Sequence, residues 1–103
     1  MQLSDYQFWT RQTAIYPPDN AVEYLALGLC SEAGEVAGKV KKRLRDNSWD
    51  IEAVKAEIGD VFWYLARICD ELNLNSETIL TENYEKLSSR AVRGVLSGSG
   101  DER

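Results

Sequence analysis

The sequence predicts an all-α protein, a helical bundle of about four helices in a single domain over residues 1–103. Its 103 residues suit one domain. No stretch of useful length alternates apolar and polar residues as a half-buried strand would. The only prolines are Pro17 and Pro18, so no later proline interrupts a helix. These three observations together favour helices throughout the chain.

The first two helices lie on either side of the proline pair. Ser4 and Gln7 stand in capping-box spacing and predict a helix from about Ser4 to Ala14. The proline-free run from Ala21 to Leu44 is rich in helix-favouring residues and predicts a second, longer helix. A polar break over residues 45–48 follows it.

The second half of the chain predicts two more helices. Asp50 and Glu52 suit a helix N-terminus, and the third helix is expected to run to about Glu71. Ser76 begins a fourth helical stretch that reaches about Arg90. Residues 94–103, rich in glycine and serine, are expected to form a loop or tail.

The composition excludes several classes of function. The chain has no histidine, which excludes Ser-His-Asp and Cys-His catalysis and histidine-ligated zinc. Its two cysteines form no CxxC pattern and are expected to fill core space. A net charge of −5 argues against nucleic acid as a partner. No stretch approaches the ~18 apolar residues of a membrane span, and the N-terminus does not resemble a signal peptide. We therefore expect a cytoplasmic protein with no membrane partner.

The two long central helices each carry an acidic pair along one edge of an apolar stripe. On a helical wheel Glu32 and Glu35 lie one turn apart beside the stripe of the second helix. Glu57 and Asp60 repeat this geometry on the third helix. Apolar residues over 58–69 face most directions, which predicts that the third helix is buried nearly all round. A buried acid must be paired or bind a metal.

Two interpretations of the acids are open. Glu35 with Lys39, and Asp60 with Arg67, could form surface salt bridges, each contributing at most ~1 kcal/mol. Repetition of the acidic pattern at the same wheel angle favours a shared metal site instead. Carboxylates without histidine or cysteine nearby suit Mg²⁺ or Mn²⁺. Because Mg²⁺ prefers few protein ligands plus substrate phosphates, a carboxylate cluster beside lysines indicates a polyphosphate substrate.

Glycines and aromatic residues near these helices have more than one possible use. Four helix glycines are expected to allow close helix approach: Gly28, Gly34, Gly38 and Gly59. Gly34 and Gly59 lie inside the acidic motifs, where such an approach would set the carboxylate spacing. The second helix is about 37 Å long, more than one small domain can cover. On the third helix, Trp63 lies opposite the main apolar stripe and needs a partner surface. We therefore expect a homodimer through these helices.

Four aromatic residues of the first segment either stack on a nucleobase or, more commonly, pack in a core: Tyr6, Phe8, Trp9 and Tyr16.

Glu32-Ala33-Gly34-Glu35 and Glu57-Ile58-Gly59-Asp60, 21 residues apart, resemble the ExxE…ExxD signature of the MazG-like nucleotide pyrophosphohydrolases. This family belongs to the all-α NTP pyrophosphatase superfamily. LGLCSEAGEVAGKVKK and EIGDVFWYLARICDELNL are similar to its two metal-binding helices. Residues 83–87 with Arg90 resemble its C-terminal N-x-x-K-L-x-x-R element. The resemblance covers nearly the whole chain.

The resemblance implies Mg²⁺-dependent hydrolysis of nucleoside or deoxynucleoside triphosphates to the monophosphate and pyrophosphate. The cellular role is open between nucleotide-pool sanitation, which we favour, and alarmone control. The resemblance also implies a homodimer or a dimer of dimers. Lys39, which continues the acidic edge, is a further phosphate-contact candidate. The implied metal ligands and catalytic residues are the four acids: Glu32, Glu35, Glu57 and Asp60. The implied phosphate contacts lie on the fourth helix: Lys86 and Arg90, with Asn83 nearby.

Two alternative functions are open. One is a related all-α pyrophosphohydrolase acting on dUTP, dCTP or phosphoribosyl-ATP, because base and sugar selection depend on pocket shape. The other, from a different class, is a non-catalytic helical dimer that serves as an interaction module. Release of pyrophosphate from a nucleotide separates these two classes.

Overall fold

The computed structural model describes residues 1–103 and contains four α-helices and no strand. The all-α prediction, with two long central helices carrying the acidic motifs, is confirmed. None of the four helices combines the length and the apolar character that a membrane crossing requires. The helices are α1 (Leu3–Trp9), α2 (Ala21–Asp46), α3 (Ile51–Glu71) and α4 (Ser76–Arg93), and 3₁₀ turns span Thr10–Thr13 and Pro18–Asn20.

α2 and α3 form an antiparallel hairpin and make the most extensive helix–helix contact in the chain. Asn47 ends α2 in the left-handed conformation, and its N–H donates to the Arg43 carbonyl. The Asp50 side chain caps α3 by accepting a hydrogen bond from the Ala53 N–H. Local capping therefore sets the hairpin ends close to where the sequence predicts them.

The first helix is shorter than predicted, and its expected capping box does not form. Both side chains of that box bind the start of α4 instead. The Ser4 amide and hydroxyl donate to the Glu77 carboxylate at 3.2 and 2.9 Å. The Gln7 side-chain oxygen accepts from the Ser76 N–H at 2.8 Å. Tertiary hydrogen bonds thus engage the two residues of the expected box, while the local cap forms earlier, where the Asp5 carboxylate accepts from the Gln2 N–H at 3.3 Å. After Trp9 the chain continues as a 3₁₀ turn.

Arg67, buried on α3, joins the N-terminal segment (residues 2–16) to the hairpin. Its guanidinium donates to the Tyr16 hydroxyl at 3.0 Å and to the Asp70 carboxylate at 2.8 Å. Arg11 donates two further hydrogen bonds to Asp70, at 2.9 and 3.0 Å. Hydrogen bonds to the carboxylate lower the pKa of Asp70 to about 2, and those from Arg11 have the largest effect. The ionised network therefore fixes the N-terminal segment in place.

We expect Asp70→Asn to lower the free energy of unfolding at neutral pH by on the order of 2 kcal/mol. The pKa of Asp70 lies below its ordinary 3.8 in the folded state, so its ionised form contributes stability that is fully present above pH 3.8. That contribution is lost as pH falls through about 2. Urea unfolding of both proteins across this range should show a difference that shrinks with acidification.

The control for this experiment is Glu52→Gln, which removes an exposed pair with Lys55 on the same helix. Exposed pairs of this kind contribute about 0–1 kcal/mol, so the control should change stability little. A stability difference for Asp70→Asn that stays constant down to the lowest pH would contradict the ionised network.

Trp63 on α3 is covered by the N-terminal segment. Its indole N–H donates to the Thr13 hydroxyl at 2.7 Å, and its ring meets Tyr16 edge-on. Tyr16 also stacks on Tyr24 of α2, with ring centroids 5.6 Å apart. The N-terminal segment thus supplies a partner surface for Trp63 within the chain, so Trp63 does not support the expected homodimer, which stays a prediction. Tyr16 serves this packing as well.

A single chain buries little of its apolar surface. Nine residues are buried, of which four are apolar. The radius of gyration is 16.6 Å, against about 13 Å for a compact domain of this length. The prediction that α3 is buried nearly all round is wrong for the single chain, because Ile58, Phe62 and Leu65 are 42%, 52% and 43% exposed. Cys30, expected in the core, is also exposed.

The exposed face of α3 forms one wall of an apolar groove that it shares with α1 and α4. Part of this groove is a cavity of about 140 Å³, and a wider part of about 440 Å³ reaches Gly59 in the third-helix motif. The residues that define the groove are Leu3, Phe62, Leu65, Ala66, Cys69, Ile79 and Leu80.

Candidate metal centre

Three of the four predicted acidic ligands meet across the α2–α3 hairpin. Glu32 from α2 and Glu57 and Asp60 from α3 form this acid cluster. One carboxylate oxygen from each residue lies within 4.8 Å of the others. Glu57 and Asp60 share a face because residues three apart are neighbours on a helix. Antiparallel packing of the hairpin then brings Glu32 opposite both.

Glu35, the fourth predicted ligand, lies outside this cluster. It follows Glu32 by nearly one turn of α2 and is exposed to solvent. Its charge still reaches the cluster, because it contributes to the raised pKa of Glu32. The structure therefore places Glu35 beside the acid cluster rather than within it.

Like charges dominate the electrostatics of the acid cluster. The pKa of Glu32 is raised from its ordinary value, first by a hydrogen bond with the Glu57 carboxyl group. Desolvation raises it further, followed by the charge of Asp60. No ion pair in the chain involves any of the three acids or Glu35. The negative charge is therefore left without a neutralising cation from the protein.

The salt-bridge interpretation of the acids is contradicted. Arg67, the expected partner of Asp60, pairs with Asp70 and Glu71 at 2.8 and 3.3 Å. Lys39, the expected partner of Glu35, is half-buried and forms no ion pair. Neither of the two expected surface pairs therefore forms.

The donor chemistry of the acid cluster fits a hard divalent cation. It offers carboxylate oxygens from three residues and no sulfur or imidazole ligand. Mg²⁺ and Mn²⁺ prefer such oxygen donors, and Mg²⁺ also retains several waters. A cation bound there would offset the repulsion that raises the pKa of Glu32.

Close helix approach occurs at Gly28 rather than at the two motif glycines. A Cβ atom built at position 28 would lie 2.5 Å from Cζ and 2.8 Å from Cδ1 of the Tyr64 ring. The close approach expected at Gly28 is therefore confirmed. At Gly34, Gly38 and Gly59 nothing lies within 4 Å of such an atom, so the same expectation is wrong for them within the chain. The sequence signal for this approach is that Gly28 is a helix glycine one turn before Glu32. The sequence does not show that Tyr64 of α3 is its partner.

The predicted phosphate contacts on α4 bind the C-terminal loop (residues 94–103) instead of lying against the acids. The Arg90 guanidinium, 5% exposed, donates to the Asp101 carbonyl at 2.8 Å. Lys86 and Arg90 each lie 3.4 Å from the Asp101 carboxylate. Their positive charges lower the pKa of Asp101, a hydrogen bond from Arg90 being the largest cause. Asn83 lines a shallow pocket together with Lys86.

A family model described as the MazG nucleotide pyrophosphohydrolase domain matches residues 20–94. The chain belongs to the MazG family. It is also similar to the Gene 37 protein of Mycobacterium phage L5, with 41% identity over 114 residues that cover 100% of both chains. That name describes no activity. No solved structure matches the chain.

The MazG match contains every predicted site residue but leaves out two parts of the fold. It begins at Asn20, after the N-terminal segment that binds Arg67 and covers Trp63. It ends at Gly94, where the C-terminal loop that binds Lys86 begins. Of the two parts outside the MazG match, the N-terminal segment therefore packs against α3, and the C-terminal loop forms ion pairs with the cationic side chains of α4.

Proposed function

We propose that this MazG-family chain hydrolyses nucleoside or deoxynucleoside triphosphates to the monophosphate and pyrophosphate, as a nucleotide-pool sanitation enzyme. The observation that carries this proposal is the convergence of Glu32, Glu57 and Asp60 within 4.8 Å without a protein cation to neutralise them. Membership of a pyrophosphohydrolase family supports the reaction class. The cytoplasmic location stays a prediction.

The acids would act as oxygen ligands for Mg²⁺, with Mn²⁺ as a substitute. Glu32, Glu57 and Asp60 are proposed to share one cation, which their approach to within 4.8 Å of one another supports. Glu35 is proposed as an additional ligand from nearly one turn along α2. A bound Mg²⁺ polarises phosphoryl oxygens and lowers the pKa of a coordinated water. One of the four acids would orient that water, and the others would hold the cation to which the triphosphate binds.

Lys86, Arg90 and Asn83 are proposed to bind the substrate phosphates, with Lys39 as a further cation near the acids. The contacts of Asp101 support this role, since Lys86 and Arg90 already hold one carboxylate between them. A phosphate bound there would take the place of Asp101. In a single chain, however, no ion pair links these α4 cations to the acid cluster.

We propose that a second copy of the chain covers the apolar groove, giving a homodimer or a dimer of dimers. Half-exposed Phe62 and Leu80 line both parts of the groove, and such contiguous apolar surface is typical of interfaces. The extended shape and thin core of one chain support the same conclusion. Because the groove reaches Gly59, a second copy seated there would lie beside Asp60 and could supply phosphate-binding residues.

The decisive experiment incubates the protein with the eight common nucleoside and deoxynucleoside triphosphates and Mg²⁺. We expect monophosphate and pyrophosphate as products, loss of activity in excess chelator, and recovery with Mg²⁺ or Mn²⁺. Extending the panel to dUTP and phosphoribosyl-ATP identifies a related substrate.

Three results would contradict parts of this proposal. Diphosphate with orthophosphate would indicate a different enzyme class. Equal turnover in excess chelator would remove the metal from the reaction. Release of pyrophosphate from none of the substrates would favour the non-catalytic interaction module.

A further inference from the structure

Tyr64 makes the closest side-chain approach to the backbone of α2. Its ring lies over Gly28 at a distance that leaves no room for a Cβ atom. The other glycines of the hairpin, Gly34, Gly38 and Gly59, have open space around the same position. Gly28 is therefore the one hairpin glycine whose missing side chain is required by a neighbour.

This contact lies directly beside the acid cluster on both helices. Gly28 precedes Glu32 by four residues on α2, and Tyr64 follows Asp60 by four residues on α3. Residues four apart on a helix are stacked on one face. Because the helices run antiparallel, the contact between Gly28 and Tyr64 lies one turn from the approach of Glu32 to Asp60.

We propose that the Tyr64 ring, seated against Gly28, is a positioning contact that fixes the register of α2 on α3 and so holds the acid cluster at metal-binding spacing. The proposal rests on the metal site of the proposed function and assigns new roles to two residues outside it. Tyr64 and Gly28 act through the position of the acids and do not themselves bind the cation.

The surroundings of Tyr64 support a fixed ring rather than a mobile one. The ring meets Trp63 edge-on with centroids 5.0 Å apart, and Trp63 is anchored to Thr13 of the N-terminal segment. Burial raises the pKa of the Tyr64 hydroxyl, and the charges of Tyr24, Glu32 and Asp60 raise it further. The side chain is thus held between the N-terminal segment and the acids.

A register contact is needed because the acids repel one another. Without a cation, three carboxylates within 4.8 Å favour separation or sliding of the two helices. A ring locked against a glycine resists both movements, since sliding by even one residue would bring a Cβ atom against it. The cluster can then be assembled before the metal arrives.

The substitution Gly28→Ala tests the contact, with Gly38→Ala as the matched control on the same helix. Alanine is the better helix former, so Gly38→Ala should raise the melting temperature and leave Mn²⁺ affinity unchanged. Gly28→Ala should lower the melting temperature and weaken Mn²⁺ binding at least tenfold. Affinity is measured by titration at a temperature where circular dichroism shows each variant fully folded.

Two substitutions of Tyr64 distinguish the role of the ring from that of the hydroxyl. One of them also allows a test by melting temperature alone, without metal. Tyr64→Phe retains the ring and should bind Mn²⁺ as the parent does, whereas Tyr64→Leu should bind it at least tenfold more weakly. In the Tyr64→Leu background, Gly28→Ala should no longer lower the melting temperature, because the clash is removed.

Each outcome decides the inference. Parental Mn²⁺ affinity in folded Gly28→Ala, or weak affinity in Tyr64→Phe, overturns it. An equal loss of melting temperature from Gly28→Ala in both backgrounds also overturns it. If the parent itself binds no Mn²⁺, the proposed function fails, and the metal-free melting temperatures alone decide whether Tyr64 and Gly28 set the register.

Discussion

Replacing Asp60 by asparagine is expected to reduce pyrophosphate release by orders of magnitude without unfolding the protein. The asparagine side chain has nearly the same shape as that of aspartate, so the packing of α3 should survive. Removal of one negative charge relieves repulsion on Glu32 and Glu57, so the metal-free variant should be at least as stable as the parent. Loss of activity would then come from loss of metal affinity.

Melting temperatures with and without Mg²⁺ measure this effect directly. A cation that binds only the folded state at 100 times its Kd adds about 2.7 kcal/mol of stability. If Asp60→Asn raises the Kd about 100-fold, the same Mg²⁺ concentration adds only about 0.4 kcal/mol. Glu52→Gln removes a charge elsewhere on α3 and should retain the full Mg²⁺ shift. An unchanged shift and unchanged turnover in Asp60→Asn would exclude Asp60 from the site.

Phe62→Glu is expected to convert the proposed assembly into monomers. Phe62 is half-exposed in the single chain and lines both parts of the apolar groove. Fully burying an exposed phenylalanine contributes about 1.5–3 kcal/mol, so covering the exposed half of Phe62 contributes roughly half of that. Burying an unpaired carboxylate there costs several kcal/mol more. Since about 1.4 kcal/mol corresponds to a tenfold change in Kd, dissociation should increase by orders of magnitude.

Sedimentation equilibrium over a range of protein concentrations measures the change in mass. Ile15→Glu is the control, because Ile15 is 93% exposed and does not line the groove. It should leave the mass unchanged, and far-UV circular dichroism should show that both variants remain helical. A parent that is already monomeric, or an assembly that persists in Phe62→Glu, would contradict the proposed interface.

The helix boundaries that could be predicted from the sequence are those set by local chemistry. Pro17 and Pro18 separate the first two helices, and the Asp50 side chain caps α3 where its position suggests. Ser4 and Gln7 gave a misleading signal, because both hydrogen-bond to the start of α4, about 70 residues away in sequence. Local patterns do not show which tertiary partner will compete for a side chain.

The candidate site could be predicted only in part for a similar reason. A helical wheel places Glu32 and Asp60 at the edge of their own helices but gives no axial offset between the helices. The axial offset determines which residues of the two helices meet. It leaves Glu35 outside the acid cluster and brings Gly28, rather than a motif glycine, against the Tyr64 ring. The pairing of Lys86 with Asp101 depends on the path of a loop and is likewise absent from the helical pattern.

The short connection between α2 and α3 has a consequence for the entropy of folding. Glu32 and Asp60 are fewer than 30 residues apart, and four residues join their helices. The N-terminal segment instead makes its hydrogen bonds to α3 and α4 across 50 to 73 residues. Each doubling of the length of a closed loop adds roughly 0.6 kcal/mol of entropic cost. Docking of the N-terminal segment therefore costs more entropy than closing the hairpin. The acid cluster itself is assembled by the α2–α3 hairpin, which closes a much shorter loop.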